Sequence, residues 1–328
     1  LDHPSQGHGR VTPPTGVPQR HAVVYKGRLE NASYVAIKCL GLFRKYPVRN
    51  LSLRLDLLSK LRHPHLVCLL GHCIDSEPDG SSVNRVFLIY EYISQGNLHG
   101  HLSETSLEKI LKWSDRLAIL IGIAKSVHFL HTGIIPGFFN NRLKAHNILL
   151  DEHYIAKVSD YGLSIITEEM DKHEVKADGA KSSHAVQGKS PAVEITNMED
   201  DVYSFGLILL ETLVGSAVAE QGETFFLNEM KAAGGSYDIC RKEAIATLRS
   251  KRTSFSRQDD GKQIIDPTVV GTSAEESLSL VISITNKCLS PEPFNRPSIE
   301  DVLWNLQYAA QVQATADGDQ RSDATSQA

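Results

Sequence analysis

Two short stretches decide the fold predicted for this chain: Leu-Lys-Ala-His-Asn at residues 143–147 and Ser-Asp-Tyr-Gly at residues 159–162. Between them lie Ile-Leu-Leu at 148–150 and Ala-Lys-Val at 156–158, separated by a polar turn. These runs predict a small β-hairpin carrying the polar motifs at its edges. Two further motifs stand farther out in the chain, Val-Ala-Ile-Lys at 35–38 and Asp-Val-Tyr-Ser-Phe-Gly at 201–206. The order and spacing of the four motifs are more specific than any one of them.

Composition indicates an ordinary globular protein. The chain has 328 residues, of which 41% are hydrophobic and 22% charged, enough for one large domain or two lobes. The five cysteines are odd in number and scattered, which favours reduced thiols in a cytoplasmic compartment. The net charge of −5 argues against nucleic acid as a partner. No secretory signal or apolar run of transmembrane length is found, and the start at Leu1 suggests an excised domain or an incomplete gene product.

The front of the chain reads as β-rich. Residues 1–20 predict an irregular lead-in, and two strand-like runs between 22 and 40 flank a turn at 30–33. Leucines with helical spacing predict a helix over 51–61. A polar turn at 75–84 precedes a short apolar strand, Val86 to Tyr90.

The back of the chain is mainly helical. A long buried helix is predicted over 113–131. A loop is expected at 168–190 and a disordered tail at 313–328, and further helices are expected at 202–214, 272–289 and 297–313. We therefore predict an α+β protein whose domain spans 21–312, with a small β-rich lobe at about 21–92 and a large helical lobe at about 93–312.

Three further stretches carry a family resemblance: residues 88–98, 131–137 and 296–307. Together with the four motifs, they resemble plant receptor-like protein kinases, the group related to Pelle and to interleukin-receptor-associated kinases. Residues 131–137 and 302–307 are most similar to the inactive leucine-rich-repeat receptor-like kinases. The resemblance covers about residues 22–312 and implies the two-lobed protein kinase fold.

Several positions that the resemblance assigns to nucleotide and metal are retained. Lys38 matches the strand lysine that pairs with the nucleotide phosphates, although a strand lysine is commonly only solvent-facing. Asn147 and Asp160 match the two metal-binding residues, and their oxygen atoms suit Mg²⁺. Lys144 keeps the place of the catalytic-loop lysine, and Tyr161 replaces the usual Phe.

The resemblance also implies an adenine site. The hinge falls at residues 90–93, where the backbone groups of Glu91 and Ile93 would bond the adenine edge. Val24, Ala36 and Leu149 would enclose the base. Ordinary core packing would explain these three side chains equally well.

The glycine-rich loop of the family is missing. Counting back from Val24, its glycine positions hold Val17, Gln19 and Ala22. Side chains there would block close approach of the backbone, and Pro18 removes an amide donor. A loop that cradles phosphates is therefore not expected. The alternative is that a wrongly assigned start of the coding sequence has removed the loop from this sequence.

The helix after Lys38 lacks its glutamate. The position that the family gives to this glutamate holds Arg54, and Asp56, two residues on, points elsewhere on a helix. We therefore expect no anchor for Lys38 from this helix, and Asp160 is an alternative partner.

The catalytic base is also replaced. Where the family reads His-Arg-Asp, the chain has Asn140, Asn141 and Arg142. The aspartate accepts the proton of the substrate hydroxyl, and an arginine cannot do so because it stays protonated. No catalytic residue set is therefore intact. In the activation segment, Glu194 is the candidate partner of Arg296.

The expected function is a receptor-like pseudokinase: a cytoplasmic signalling or scaffolding module that could still bind ATP and Mg²⁺. Its partners would be receptor kinases or other signalling proteins, and contact with a membrane would come only through a parent receptor. One alternative is a weakly active Ser/Thr protein kinase that transfers the ATP γ-phosphate to protein hydroxyls. Another is a truncated product whose front lobe folds poorly.

Overall fold

A computed structural model describes residues 23–41, 48–76, 83–103, 109–134, 137–139, 141, 143–163, 191–216 and 265–326. Within these ranges, side chains are not described at 23, 48–50, 76, 84, 191–197 and 319–326. The chain forms two compact units. The first holds the described residues up to His63 and from Val67 to Ile93, and the second holds Pro64–Leu66 and the described residues from Ser94 onward.

The first unit is a four-stranded antiparallel sheet with one helix. The sheet order is β1-β2-β4-β3, and the helix α1 packs against β3. Its elements are β1 (Val23–Arg28), β2 (Tyr34–Gly41), α1 (Val48–Lys60), β3 (Leu69–Ser76) and β4 (Val83–Glu91). The predicted turn is present between β1 and β2, where Ala32 has a φ of 66° and Asn31 Oδ1 accepts a hydrogen bond from Ser33 N.

Leucine spacing explains α1. Leu51, Leu55 and Leu58 recur every three or four residues, and all three are buried. The helix begins earlier than the predicted residue 51, at Val48, and ends at Lys60.

The sequence reading missed β3. This strand lies at the edge of the sheet and contains Gly71, and its pairing with β4 is irregular at Leu69/Gly71 and at Asp75/Ser76. Edge strands tolerate glycine, polar residues and bulges, so β3 lacks a clean alternating pattern. Its end also falls inside the stretch predicted as a turn.

The second unit is helical around a small hairpin. Its elements are α2 (Leu98–Leu102), α3 (Trp113–Thr132), β5 (Ile148–Leu150), β6 (Ala156–Val158), α4 (Pro191–Val214), α5 (Pro267–Thr272), α6 (Glu275–Cys288) and α7 (Ile299–Ser326). The predicted hairpin is present, with Ile148 paired to Val158 and Leu150 to Ala156.

Helix α3 is the centre of this unit. Apolar residues occur on all its sides, and α4, α5, α7 and β6 all contact it. The buried Arg116 ties three elements together, since it donates to the Thr212 carbonyl and to the Asp266 carboxylate. Trp113 is fully buried, and its indole N–H donates to Ser277 Oγ at 2.9 Å.

Two boundaries differ from the sequence prediction. Helix α4 begins at Pro191 rather than at residue 202. Helix α7 continues to Ser326, through most of the segment 313–328 for which we expected disorder. Extending an existing helix costs much less than starting one, so a polar, alanine-containing sequence can continue α7 although its composition is typical of disordered tails.

Candidate functional site

The sheet of the first unit presents three of the predicted nucleotide residues on one face. In the register, Val24 pairs with Lys38, and Lys26 pairs with Ala36. Because side chains alternate along a strand, Val24, Ala36 and Lys38 share a face. Val24 is 60% exposed, so packing in the core does not explain this residue, whereas Ala36 and Lys38 are half-buried.

Helix α1 carries Arg54, at the position where the sequence departs from the family. Arg54 is half-buried, between the buried residues Leu51 and Leu55. The only acidic residue of the helix is Asp56, whose side chain is 56% exposed and lies 3.9 Å from His72 Nε2. The inward face of α1 is therefore built from leucines, and it offers no carboxylate.

In the first unit, the backbone amide and the side-chain carboxylate of Glu91 both form hydrogen bonds with Cys68. Its amide donates to the Cys68 carbonyl at 3.0 Å, and its Oε1 accepts from the Cys68 amide at 2.8 Å. This pair fixes the end of β4, where the predicted hinge begins. Ile93, the other predicted hinge residue, is half-buried.

An aromatic cage stands at the same end of the sheet, and the sequence reading did not find it. Lys26 Nζ lies 4.3 Å from the ring centroids of both Tyr34 and Tyr92. The two rings are 6.1 Å apart. A cation over two aromatic faces is held by the ring quadrupoles, so the cage joins Tyr92 of the hinge to the β1–β2 hairpin.

In the second unit, the backbone connects the two predicted metal residues. Asn147 ends a 3-10 turn, Ala145–Asn147, and its carbonyl accepts from both the N–H and the Oγ–H of Ser159 at 2.8 Å. Ser159 directly precedes Asp160. Asn147 is buried, Asp160 and Leu149 are half-buried, and Lys144 is exposed.

Asp160 has an unusual backbone. Its φ is 62°, a left-handed conformation that few residues other than glycine adopt, and Gly162 follows at 68°. Such conformations persist where surrounding contacts fix them, and they cluster at functional sites. Tyr161 between them is buried, as the prediction of a buried ring in place of Phe requires.

A buried polar network holds the catalytic loop. Asp201 on α4 accepts from the Asn141 amide and from Asn141 Nδ2, both at 2.8 Å, and from His131 Nε2 at 2.9 Å. Asn141 Nδ2 also donates to the Phe138 carbonyl, and its Oδ1 accepts from the Gly162 amide at 3.3 Å.

All three side chains of this network are buried, and Asn141 has no exposed surface. The sequence reading treated Asn141 only as a replaced catalytic-loop residue and gave His131 and Asp201 no role. The sequence did contain a signal for this network. Asp201 directly precedes the apolar run 202–214, and His131 is the second-last residue of the apolar helix α3. Buried polar residues of this kind need partners.

Several positions singled out from the sequence lie outside the described residues. These are Val17, Pro18, Gln19 and Ala22 of the missing glycine loop, and Asn140 and Arg142 of the catalytic loop. The side chain of Glu194 is also not described. The described partners of Arg296 are the Asp200 carboxylate and the carbonyls of Glu199, Ser290 and Pro291, and the predicted pair with Glu194 stays a prediction.

The donor set at Asn147 and Asp160 suits magnesium and not the softer metals. One amide oxygen and one carboxylate are ligand types that Mg²⁺ accepts, with water and phosphate completing its shell. Among the described residues, no group of three His, Cys, Asp or Glu side chains is arranged to hold a metal ion.

A helix that spans a membrane requires both sufficient length and sufficient hydropathy. None of the helices in the described ranges meets both requirements.

Comparisons with known proteins identify the family of this chain. The sequence profile of the family described as protein tyrosine and serine/threonine kinase matches residues 19–306. A probable inactive leucine-rich repeat receptor-like protein kinase of Arabidopsis thaliana is 37% identical over 88% of this chain and 33% of its own length. A probable leucine-rich repeat receptor-like serine/threonine-protein kinase of the same plant is 35% identical over 88% of this chain and 35% of its own length.

The fold is also found among solved structures. The pseudokinase domain of BIR2, an immune regulator of the RLK/Pelle family, superposes with a TM-score of 0.60 at 24% identity, covering 94% of this chain and 83% of that one. An apo pseudokinase superposes with a TM-score of 0.53 at 22% identity, covering 90% of each chain.

These findings confirm the predicted α+β protein kinase fold and the resemblance to plant leucine-rich-repeat receptor-like kinases. The chain belongs to the protein tyrosine and serine/threonine kinase family. It spans about a third of the length of these curated relatives.

Proposed function

We propose that this chain is the kinase-like domain of a receptor-like pseudokinase, a module that signals through its surfaces rather than through phosphoryl transfer. One observation carries the proposal: the base position of the catalytic loop holds Arg142, which cannot accept a proton. The neighbours of this position support the alignment, because Asn141 and Leu143 are both buried and Asn141 is bonded to Asp201.

Two further changes act in the same direction. Helix α1 supplies no inward carboxylate to orient Lys38, and the glycine positions of the loop before Val24 hold Val17, Gln19 and Ala22. Phosphoryl transfer depends mainly on positioning and charge neutralisation. Loss of a general base alone lowers the rate of transfer by about 10²–10⁴-fold. Loss of the α1 glutamate and of the glycine-rich loop lowers this rate further.

We propose that the domain occupies residues 21–312 and keeps a weak Mg-ATP site. Members of the kinase family bind ATP and Mg²⁺ in general. Here Lys38 would contact phosphate, Asn147 and Asp160 would hold Mg²⁺, and the backbone of Glu91 and Ile93 would bond the adenine edge. Val24, Ala36 and Leu149 would enclose the base, and the retained Lys144 would serve the phosphates.

The names of the relatives support a proposal about where in the cell this domain works. Both plant proteins are named as receptor-like kinases, and BIR2 is named as an immune regulator of that family. We therefore propose that this domain works at the cytoplasmic face of the plasma membrane as part of a longer receptor. Its partners would be other receptor kinases or signalling proteins.

The second candidate function is a weak Ser/Thr kinase, which the retained Lys38, Asn147 and Asp160 favour. Transfer of radiolabelled phosphate to the chain itself and to a generic basic substrate separates the two. The pseudokinase proposal predicts no labelling above that of the Asp160→Ala variant. Labelling that is present in the wild type and lost in Asp160→Ala would establish the kinase instead.

A further inference from the structure

Helix α7 carries an exposed aromatic stripe that the core does not use. Glu300, Trp304 and Tyr308 are spaced four residues apart and so lie on one side of the helix, which we call the α7 stripe. Trp304 is 68% exposed and Tyr308 43% exposed. Their rings are near parallel at 23°, with centroids 6.3 Å apart. Two aromatic rings of the stripe are therefore close together and accessible to solvent.

The opposite side of α7 provides the packing of this helix. Val302, Leu306, Ala309 and Gln313 are buried, and α7 packs against α3 and α6. Trp113, the other tryptophan of the chain, is fully buried. Two adjacent exposed aromatic rings are therefore not explained by the core, and such residues are enriched where proteins bind partners.

The charge of this surface indicates the chemistry of the partner. From Ile299 to Gly318, α7 contains three acidic residues and no lysine or arginine. Two of the three have local bonds. Ser298 caps the helix by accepting from the Asp301 amide, and the Asp301 carboxylate accepts from the Ser298 hydroxyl. Asp317 accepts from Gln313. Glu300 continues the stripe beside Trp304.

An acidic group next to stacked aromatic rings is complementary to a cation. Tryptophan gives the strongest cation–π interaction of the side chains. A guanidinium is planar, stacks on aromatic faces and also pairs with a carboxylate, whereas an ammonium is a compact and strongly hydrated charge. The stripe therefore fits arginine better than lysine.

We propose that the α7 stripe docks an arginine-containing peptide segment of a partner protein. This inference deepens the proposed scaffold function and rests on it only in treating the chain as a signalling module. It requires neither nucleotide nor phosphoryl transfer, so its failure would leave the assay of phosphate transfer unchanged.

A fluorescein-labelled peptide of repeated Arg-Gly-Ser tests the proposal by fluorescence anisotropy. We expect saturable binding, weaker binding of the matched Lys-Gly-Ser peptide and none of the citrulline-Gly-Ser peptide. Trp304→Ala should weaken binding by about tenfold, and Trp304→Phe should fall between it and the wild type. Because Trp304 is exposed and Trp113 is buried, the bound peptide should also protect tryptophan fluorescence from acrylamide quenching.

Matched variants separate docking from general attraction to an acidic protein. Glu300→Gln should weaken binding, whereas Glu30→Gln, which removes an exposed carboxylate from the first unit, should not. Equal affinity of wild type and Trp304→Ala, with both folded by circular dichroism, would overturn the proposal. So would self-association of the chain in sedimentation velocity that is abolished by Trp304→Ala, because the stripe would then bind a second copy.

Discussion

Asn141 and Asp201 are joined by two hydrogen bonds of 2.8 Å in the interior of the second unit, one from the Asn141 amide and one from its side chain. The same side chain accepts from the Gly162 amide through Oδ1. An arginine, which the family has at this position, carries donors only and could not accept that bond. The replacement therefore has a structural role, because one amide connects the catalytic loop, α4 and the Asp-Tyr-Gly motif.

Replacement of Asn141 by leucine should destabilise the domain. Asn141→Leu removes a hydrogen bond from the buried Asp201 carboxylate and leaves the buried Gly162 amide without its acceptor. We expect a loss of about 3 kcal/mol in the free energy of unfolding, measured by urea denaturation. Asn295→Leu, at an exposed position, should change it by less than about 0.5 kcal/mol. Equal effects of the two variants would show that the network is not stabilising.

The retained nucleotide positions predict weak binding of Mg-ATP. If the Kd is about 1 mM, Mg-ATP at about five times this concentration raises the free energy of unfolding by about 1 kcal/mol. This corresponds to a rise in Tm of about 2 °C. Lys38→Met should abolish the shift, and Lys60→Met, at the exposed end of α1, should not. A Tm that does not respond to Mg-ATP in the wild type would rule out the site and leave a scaffold independent of nucleotide.

Restoration of two acidic residues should recover some activity. The double variant Arg142→Asp and Arg54→Glu returns a proton acceptor to the catalytic loop and a carboxylate to α1. If Mg-ATP binds, we expect a gain of about 10²-fold in transfer of labelled phosphate to a generic substrate. Arg142→Asp combined with Arg54→Gln, which removes the cation without adding an acid, is the control and should recover less. No gain in either variant would show that the missing glycine loop is limiting.

Cys73 and Cys288 should differ in their reactivity towards alkylating reagents. Burial raises the pKa of the Cys288 thiol to about 12, while Cys73 is exposed. Since the thiolate is the reactive form, iodoacetamide at pH 8 should label Cys73 and spare Cys288, as read by peptide mass spectrometry. The neutral thiol is favoured in the folded state, so its stabilising effect is complete below the ordinary pKa of 9.0 and is lost as the pH rises towards 12. Rapid labelling of Cys288 in the folded protein would contradict this burial.

The sequence predicted elements with strong periodicity and missed those set by context. Leucine spacing predicted α1, and two short runs on either side of a polar turn predicted the β5–β6 hairpin, because each pattern follows directly from local geometry. The edge strand β3 and the helical continuation of α7 depend on neighbouring structure, and their local sequences resemble a loop and a disordered tail.

The candidate site shows the same division. Motif spacing predicted Lys38 as the phosphate-binding lysine and Asn147 and Asp160 as the metal-binding residues. It also showed that Arg54 replaces the glutamate of the family and that Arg142 replaces the catalytic base. It could not show that Glu91 binds Cys68 or that Asn141 binds Asp201, because these bonds join residues 23 and 60 positions apart. Partners at such separations are determined by the packing of the whole unit.

Total turnover of the ATP γ-phosphate, whether by transfer or by hydrolysis, tests the central claim most directly. Release and transfer are measured together at saturating Mg-ATP, for the wild type and for Asp160→Ala purified in parallel. An arginine at the base position predicts that the two rates are indistinguishable. A wild-type rate clearly above that of Asp160→Ala would show that the domain still performs phosphoryl chemistry, and would contradict the account.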